Sequence, residues 1–525
     1  MKEFNITTTC IEEEHYMVDI SKNIEKIKQL IEKGKYFTIN RARQYGKTTT
    51  MMRLFQILQD KYIVIAGSLE GWGSEIYKSE SKFAMTFLDM IRREIILQDV
   101  ALAEYIDNIN KVETFYELSD KITDICKKSA KEIVLMIDEV DKASSNIVFL
   151  DFLAVLRDKY NARKKNRETE KTFKSVILVG VHDIKNLKVH IKERRLLTED
   201  EAKLIDKTTY NSPWNVAEDF IIEMSFDPEE IATMLIEYEE DYKTGMNVED
   251  ISQEIYDYTS GYPYLVSKIC KVIDERLDRS WSKLGVQDAV KIILNEKGTL
   301  FDDLIKNIQN NEKLYGTIYD MLIEGKEKSY NAYTYEKGIM YGIFKQGDNG
   351  KLKVHNKIFE KLIYEYMIAE ETEKKEVLTY DYRTNFIDKS GDLKLEVILE
   401  KFQLLMKQEY RKKDEKFYEK QARLLFLCFI RPIINGTGFY YVEPQTRQDN
   451  RMDVVITYNK KQYIIELKIW HGKSQEEKGL EQVVRYLDSQ NEDKGYLVLF
   501  SFNKKKEYTR EWIEIKEKWI FEVVV

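Results

Sequence analysis

Tyr36-Phe-Thr-Ile-Asn-Arg-Ala-Arg-Gln-Tyr-Gly46-Lys47-Thr48-Thr49-Thr50 is an apolar, β-prone run, a polar turn and the opening of a helix. Met51, Met52, Leu54, Phe55, Ile57 and Leu58 follow at once on a helical period. Strand, turn ending in Gly-Lys-Thr, helix is the arrangement of a phosphate-binding loop. The glycine lets backbone approach an anion, and the free N–H groups and dipole of the helix start face it. Lys47 is placed to reach the β- and γ-phosphates of ATP and Thr48 to hold Mg²⁺, with Gln44, Tyr45, Gly46 and Thr49 as further nucleotide contacts. The full pattern asks for a glycine five residues before Gly46, where Arg41 stands.

A chain of 525 residues holds several domains, each long enough to bury a core. Hydrophobic residues are 43%, which argues against disorder, and a net charge of −8 excludes a globally basic nucleic-acid footprint. Cys10, Cys126, Cys270 and Cys428 are far apart with no Cys-x-x-Cys, which fits a reducing compartment and gives no zinc site. Met-Lys-Glu-Phe-Asn at the start lacks an apolar signal core, and runs such as Leu424 to Ile430 are too short to span a bilayer. The expectation is a cytoplasmic protein with no membrane partner.

Residues 1–226 read as a nucleotide-binding core. Tyr62–Ala66 is a second strand, helices fill Glu75 to Ala130, and Ile133-Val-Leu-Met-Ile-Asp138-Glu139 is a buried strand ending in two acids. Asp138 is placed to bind Mg²⁺ through water and Glu139 to polarise the attacking water. Ser175–Gly180 is a fourth strand, followed by His182 and Asp183; either of these senses a γ-phosphate, or the turn simply caps the next segment. Phe220–Phe226 is expected as a fifth strand, leading into the helix start Asp227-Pro-Glu-Glu230. Alternating strands and helices predict a mainly parallel α/β sheet with the phosphate loop and Asp138-Glu139 at strand ends. Arg163 to Arg167 reads as a solvated loop.

Residues 227–290 read as a helical lid broken at Ser260-Gly-Tyr-Pro263-Tyr264. Phosphate loop, Asp-Glu strand, polar end to the fourth strand and a lid with Gly-x-Pro together resemble the AAA-like ATPases of the STAND and initiator clade. The resemblance implies that Pro263 lies against the adenine. Residues 291–375 give short helices and a hairpin, Gly342–Gln346 and Lys351–His355 around Gly347-Asp-Asn-Gly350. That order suggests a winged helix, which binds DNA or packs on the ATPase. With only Lys345, Lys351 and Lys353 on the wing, packing is the favoured use.

Residues 376–525 carry a second chemistry. A helix at about Lys413–Ile430 bears Glu419; then come Asp449-Asn-Arg-Met-Asp453-Val-Val-Ile-Thr457 and Gln462-Tyr-Ile-Ile-Glu466-Leu-Lys468. A turn at Asn459-Lys460 sets Tyr458 opposite Lys461 and Asp453 opposite Glu466, with Lys468 on the same face. Opposed carboxylates repel unless a hard cation lies between them, and Mg²⁺ or Mn²⁺ takes such ligands. Lys468 is then positioned to steady phosphoryl charge. With Gln482-Val-Val-Arg-Tyr486 on the next helix, the set resembles the PD-(D/E)xK nucleases, in the branch with the extra Gln and Tyr. The resemblance implies that Asp453, Glu466 and Lys468 are catalytic, that Glu419 is a further metal ligand, and that Gln482 and Tyr486 orient substrate or catalytic groups. Glu419 also has Arg423 one turn on as an ion-pair partner.

The whole chain thus resembles an AAA-like ATPase joined to a C-terminal nuclease-like domain. The expected fold is α/β multidomain: a P-loop NTPase parallel sheet with helical lid, a winged helix, and a C-terminal α/β restriction-endonuclease-like domain. Expected partners are ATP and nucleic acid, DNA before RNA, with a homo-oligomer left open. The alternative is a STAND-like signalling protein with a degenerate nuclease fold.

Overall fold

The computed structural model describes all residues except 1, 8, 145, 167–168, 182–213, 215–216, 219, 221, 297, 323–326, 348, 376–385, 389, 410–424, 428, 432, 435–437, 443–453, 460, 471–472 and 502–506. Two compact units emerge. The first is Met1–Leu300 with Tyr330–Gln346 and Lys353–Lys357; the second is Phe301–Ser329, Gly347–Leu352 and Ile358–Val525.

In the first unit, β1 (Phe37–Asn40), β2 (Ile63–Ser68), β3 (Ile133–Asp138) and β4 (Ser175–Gly180) form one sheet in the order β1-β4-β3-β2. All pairs are parallel. Every residue of β3 and β4 is buried, as expected of a parallel sheet covered on both faces. The helices are α1 (Ser21–Glu32), α2 (Lys47–Leu58), α3 (Glu80–Ile95), α4 (Val100–Asp107), α5 (Phe115–Lys128) and α6 (Ile147–Lys165). One core packs Ile65, Leu135 and Leu178 of the sheet with Phe83, Phe87, Phe149 and Phe152 of the helices. Phe152 sits 5.0 Å from Phe83 and 4.7 Å from Phe87, ring to ring. The parallel register brings the ends of β1 and β3, which carry the phosphate loop and the acids, to the same edge of the sheet.

The expected fifth strand, Phe220–Phe226, is not one among the described residues. A single parallel bridge, Phe37 with Glu218, occupies the outer edge of β1. The reason is where the later backbone groups go. The Ile222 carbonyl accepts from the Arg41 guanidinium at 2.6 Å, and the Met224 and Ser225 N–H groups both donate to the Glu223 carboxylate. Phe226 N–H donates to the Gly261 carbonyl at 2.9 Å. A chain that spends its donors on its own side chain cannot also ladder with β1.

The helix expected at Asp227 spans Pro228–Tyr242, and its capping box with Glu230 is complete. Helices Val248–Thr259, Pro263–Arg276 and Lys283–Asn295 follow. At the break before Pro263, Gly261 has φ +72°, and a Cβ there would lie 1.9 Å from the Phe226 carbonyl oxygen. Only glycine allows that approach. Further on come helices Thr299–Gln309, Glu312–Leu322 and Glu336–Met340, then β5 (Phe344–Gln346), β6 (Leu352–Val354) and helix Lys357–Lys375.

The second unit is built on a six-stranded sheet of β7 (Gly438–Val442), β8 (Val454–Tyr458), β9 (Lys461–Ile469), β10 (Lys494–Phe500), β11 (Arg510–Ile515) and β12 (Lys518–Val524). Their order is β11-β12-β10-β9-β8-β7. β9, β10 and β12 are parallel neighbours; β7–β8, β8–β9 and β11–β12 are antiparallel. Helix Lys473–Gln490 covers one face, with Leu480, Val483 and Leu487 against Ile464, Leu497 and Ile520. Helix Leu395–Glu409 lies on the other, where Phe402 meets Phe500 at 6.1 Å and Tyr496 OH donates to Glu396 at 3.2 Å.

Candidate functional site

The phosphate loop forms as expected. Gly46 caps α2 with φ +73° and Gln44 also has positive φ, so the turn folds back under the helix start. Arg41, standing where the pattern wants glycine, does not fill the loop. Its guanidinium reaches out to the Ile222 carbonyl and lies 5.5 Å from the Phe220 ring centre. Lys47 is buried, and its ammonium donates to the carbonyls of Arg41 at 3.1 Å and Ala42 at 2.9 Å. Burial pushes its pKa below the usual lysine value, while Asp138, Asp141 and Glu139 pull the other way. A cation held by loop carbonyls and faced by acids is poised to exchange those carbonyls for phosphate oxygens.

Across from the loop, Thr48 Oγ1 donates to Asp138 Oδ2 at 2.9 Å, and Glu139 N–H donates to Asp138 Oδ1 at 2.8 Å. A hydroxyl and a carboxylate side by side are the hard oxygen donors that Mg²⁺ takes, so these residues fit that ion. Glu139 has φ +56°, a conformation that a non-glycine residue holds only where surrounding structure imposes it. Its pKa is raised, first by burial and then by Asp141 and Asp138. Thr49 Oγ1 accepts from Cys10 N–H at 3.3 Å, tying the N-terminal segment to α2. His182 and Asp183 lie outside the described residues.

Asp141, Tyr262 and His355, which sequence reasoning missed, complete this site. Asp141 Oδ1 accepts from Val181 N–H at 3.0 Å, joining the ends of β3 and β4; its spacing from Asp138 was the available signal. Tyr45 OH shares hydrogen bonds with Ser225 Oγ and, at 2.8 Å, with His355 Nε2. Tyr262 packs edge-on against Tyr45 at 4.7 Å, and its hydroxyl donates to the Arg43 carbonyl. His355 is buried and held neutral, its pKa pushed down to about 3 chiefly by burial. The loop is thus clasped from two sides, by the residue before Pro263 and by the residue after β6. Pro263 itself is buried at the first position of its helix.

In the second unit, the hairpin register is the expected one. Tyr458 pairs with Lys461 and Val454 with Ile465; Asp453 lies outside the described residues, as does Glu419. Glu466 is 1% exposed, and its Oε1 meets the Lys468 ammonium at 2.7 Å. Lys468 is therefore on the Glu466 face, as the period-two count requires. Tyr486 is buried in the core of that same face, on the helix that also carries Gln482. The sheet and its covering helix bring Glu466, Lys468 and Tyr486 to one side. Among the described residues, no group of three or more His, Cys, Asp or Glu is placed to hold a metal ion. Among them, too, no helix is long and apolar enough to cross a membrane.

A family model described as an AAA-like domain matches residues 7–364. An uncharacterised WD repeat-containing protein of Synechocystis sp. is 21% identical over 368 residues, covering 65% of this chain and 28% of that protein, so the chain spans little more than a quarter of this relative. A Walker-type ATPase of Pyrococcus abyssi matches in structure with a TM-score of 0.46 and 12% identity, over 69% of this chain and 99% of that one. The ORC2 protein of Aeropyrum pernix, in its ADPNP–ADP complexes, matches with a TM-score of 0.35 and 11% identity, over 69% and 98%. The family match takes well over half of the chain, and it coincides with the parallel sheet, the phosphate loop and the Thr48–Asp138 pair: the chain belongs to the AAA-like domain family of P-loop ATPases.

Proposed function

We propose that the protein binds and hydrolyses ATP and that its C-terminal domain cuts nucleic-acid phosphodiesters with a divalent metal, the ATPase gating or positioning cleavage. In this reading residues 1–226 are the ATPase core, 227–290 its lid, 291–375 a winged helix and 376–525 the nuclease-like domain. Lys47 neutralises the phosphates, Thr48 and Asp138 hold Mg²⁺, and Glu139 orients the attacking water. Pro263 borders the adenine, and His182 senses the γ-phosphate.

The observation that carries the nuclease half is the register of β8 on β9, together with Glu466 and Lys468 on the face covered by the Gln482 and Tyr486 helix. Asp453 and Glu466, with Glu419, would hold Mg²⁺ or Mn²⁺, which supplies charge neutralisation at the scissile phosphate. Lys468 steadies the charge that develops there, and Gln482 and Tyr486 orient the reacting groups. DNA is the expected substrate before RNA.

The Glu466–Lys468 ion pair favours a second reading, since it satisfies one carboxylate oxygen with an ammonium rather than a metal ion. That reading is a STAND-like signalling protein whose nuclease fold serves binding. The discriminating experiment is Mg²⁺-dependent nicking of plasmid DNA by the full-length protein, with and without ATP, beside Asp453→Ala. Nicking lost in the variant supports the nuclease; no nicking by the parent under any nucleotide and metal condition leaves the signalling reading.

A further inference from the structure

β11 is the last strand of the C-terminal sheet, paired on one side only among the described residues. Such an edge is usually blunted by a proline, a bulge or charged side chains. β11 has no proline in its six residues, and it presents Trp512, 38% exposed, between charges of opposite sign at Arg510 and Glu514.

The direction of its backbone groups follows from one bond. Val524 N–H donates to the Thr509 carbonyl at 3.0 Å, and the register continues as Arg510 with Val523 and Glu511 with Glu522. Antiparallel ladders alternate, so Thr509, Glu511, Ile513 and Ile515 turn their N–H and C=O toward β12. Arg510, Trp512 and Glu514 turn theirs outward. Their side chains share the sheet face on which the Trp512 ring lies 5.2 Å from Phe521 and 6.2 Å from Tyr496.

We propose that β11 is a homodimerisation edge, pairing antiparallel with β11 of a second copy about a two-fold axis at Trp512. Outward-facing residues must meet outward-facing residues, which restricts the registers to steps of two. In the register centred on Trp512, Arg510 of each copy stands opposite Glu514 of the other and the two Trp512 side chains stand together. Both charge pairs are complementary, and an aromatic cross-strand pair lies between them. One permitted step to either side sets Arg510 opposite Trp512 or opposite Lys516, losing the charge pairs. Self-complementarity in one register is what a two-fold interface requires. A lone strand edge buries less than the roughly 800 Å² per partner of a stable interface, so the dimer is weak and reversible.

The test uses full-length protein in sedimentation velocity from about 1 to 100 μM, the range in which an association of this strength shows. The parent passes from monomer to dimer. Arg510→Glu, which sets like charges opposite each other twice, weakens the dimer about tenfold or more. Arg510→Glu with Glu514→Arg restores it. Arg510 also pairs with Glu400 within its own chain at 3.4 Å, and the double variant leaves that pair broken, so recovery reports the intermolecular contact alone. Trp512→Cys gives a disulfide-linked dimer under mild oxidation, because facing Cα atoms about 5.5 Å apart suit the bond. Glu514→Cys does not, its two copies being about four residues apart along the strand. A parent that stays monomeric throughout, a double variant no better than the single, or cross-linking at 514 but not at 512 overturns the proposal.

Discussion

The Thr48 hydroxyl donates to Asp138 Oδ2 at 2.9 Å, a bond between the first turn of α2 and the last residue of β3. It aligns two oxygen donors beside the buried Lys47 ammonium. Thr48→Ala is expected to weaken Mg²⁺-dependent ATP binding about tenfold while leaving Mg²⁺-free binding nearly unchanged. Calorimetric titration with and without Mg²⁺ checks it, and equal loss in both conditions would mean that Thr48 does not serve the metal.

Lys47→Ala removes the buried cation of the loop and should raise the Kd for ATP by about a hundredfold. Glu139→Gln should keep binding and slow hydrolysis about a hundredfold, because Asp138 and Thr48 survive while water polarisation is lost. ATP binding by Lys47→Ala as tight as the parent's would remove the phosphate-loop assignment.

His355 gives the nucleotide unit a pH dependence. Its folded-state pKa is depressed to about 3 from the ordinary 6.5. The unfolded chain therefore binds the extra proton between those values. The stability due to neutral His355 is complete above pH 6.5 and is lost as the pH falls toward 3. By pH 5 the loss should be about 1–2 kcal/mol. Thermal unfolding at pH 7.5 and 5 tests it: the parent should lose more than His355→Gln, which cannot titrate. Parallel pH profiles would count against the buried His355–Tyr45 bond.

Gly261→Ala should destabilise the protein by about 3 kcal/mol or more, since the new Cβ meets the Phe226 carbonyl and the backbone must hold positive φ. Denaturant unfolding checks the magnitude. A change below about 0.5 kcal/mol would mean that the 226–261 contact is not held in solution.

On the nuclease reading proposed for the C-terminal domain, Asp453→Ala should lose both divalent-metal binding and cleavage. Lys468→Ala should keep metal but lose cleavage by about a hundredfold or more, since an ammonium is no ligand for a hard cation yet stabilises developing charge. Neither should change ATP affinity. Cleavage unaffected by both variants would exclude Glu466–Lys468 as the chemical centre.

Much of this was legible because it is local. The alternation of strand and helix around Gly46-Lys47-Thr48, the capping box at Asp227 and the hairpin register at Tyr458–Lys461 depend on residues only a few positions apart. Period, turn length and cap chemistry fix such features before any long-range contact forms. The Phe220–Phe226 strand failed for the complementary reason. Its apolar pattern suits a strand, but Arg41, Gly261 and its own Glu223 claim its backbone groups.

By itself, then, the sequence determined the phosphate loop, the acids at the end of β3 and the pairing of β8 with β9, all set by spacing along the chain. Only the tertiary structure decided that β4 lies between β1 and β3, that Arg41 turns away from the loop, and that Tyr45 meets a histidine 310 residues later. It also decided that Glu466 is buried beside Lys468 while Trp512 lies on a strand that, among the described residues, is at the edge of its sheet. Those outcomes are selected by which surfaces pack together, and a residue's spacing from its sequence neighbours carries no record of a partner hundreds of positions away.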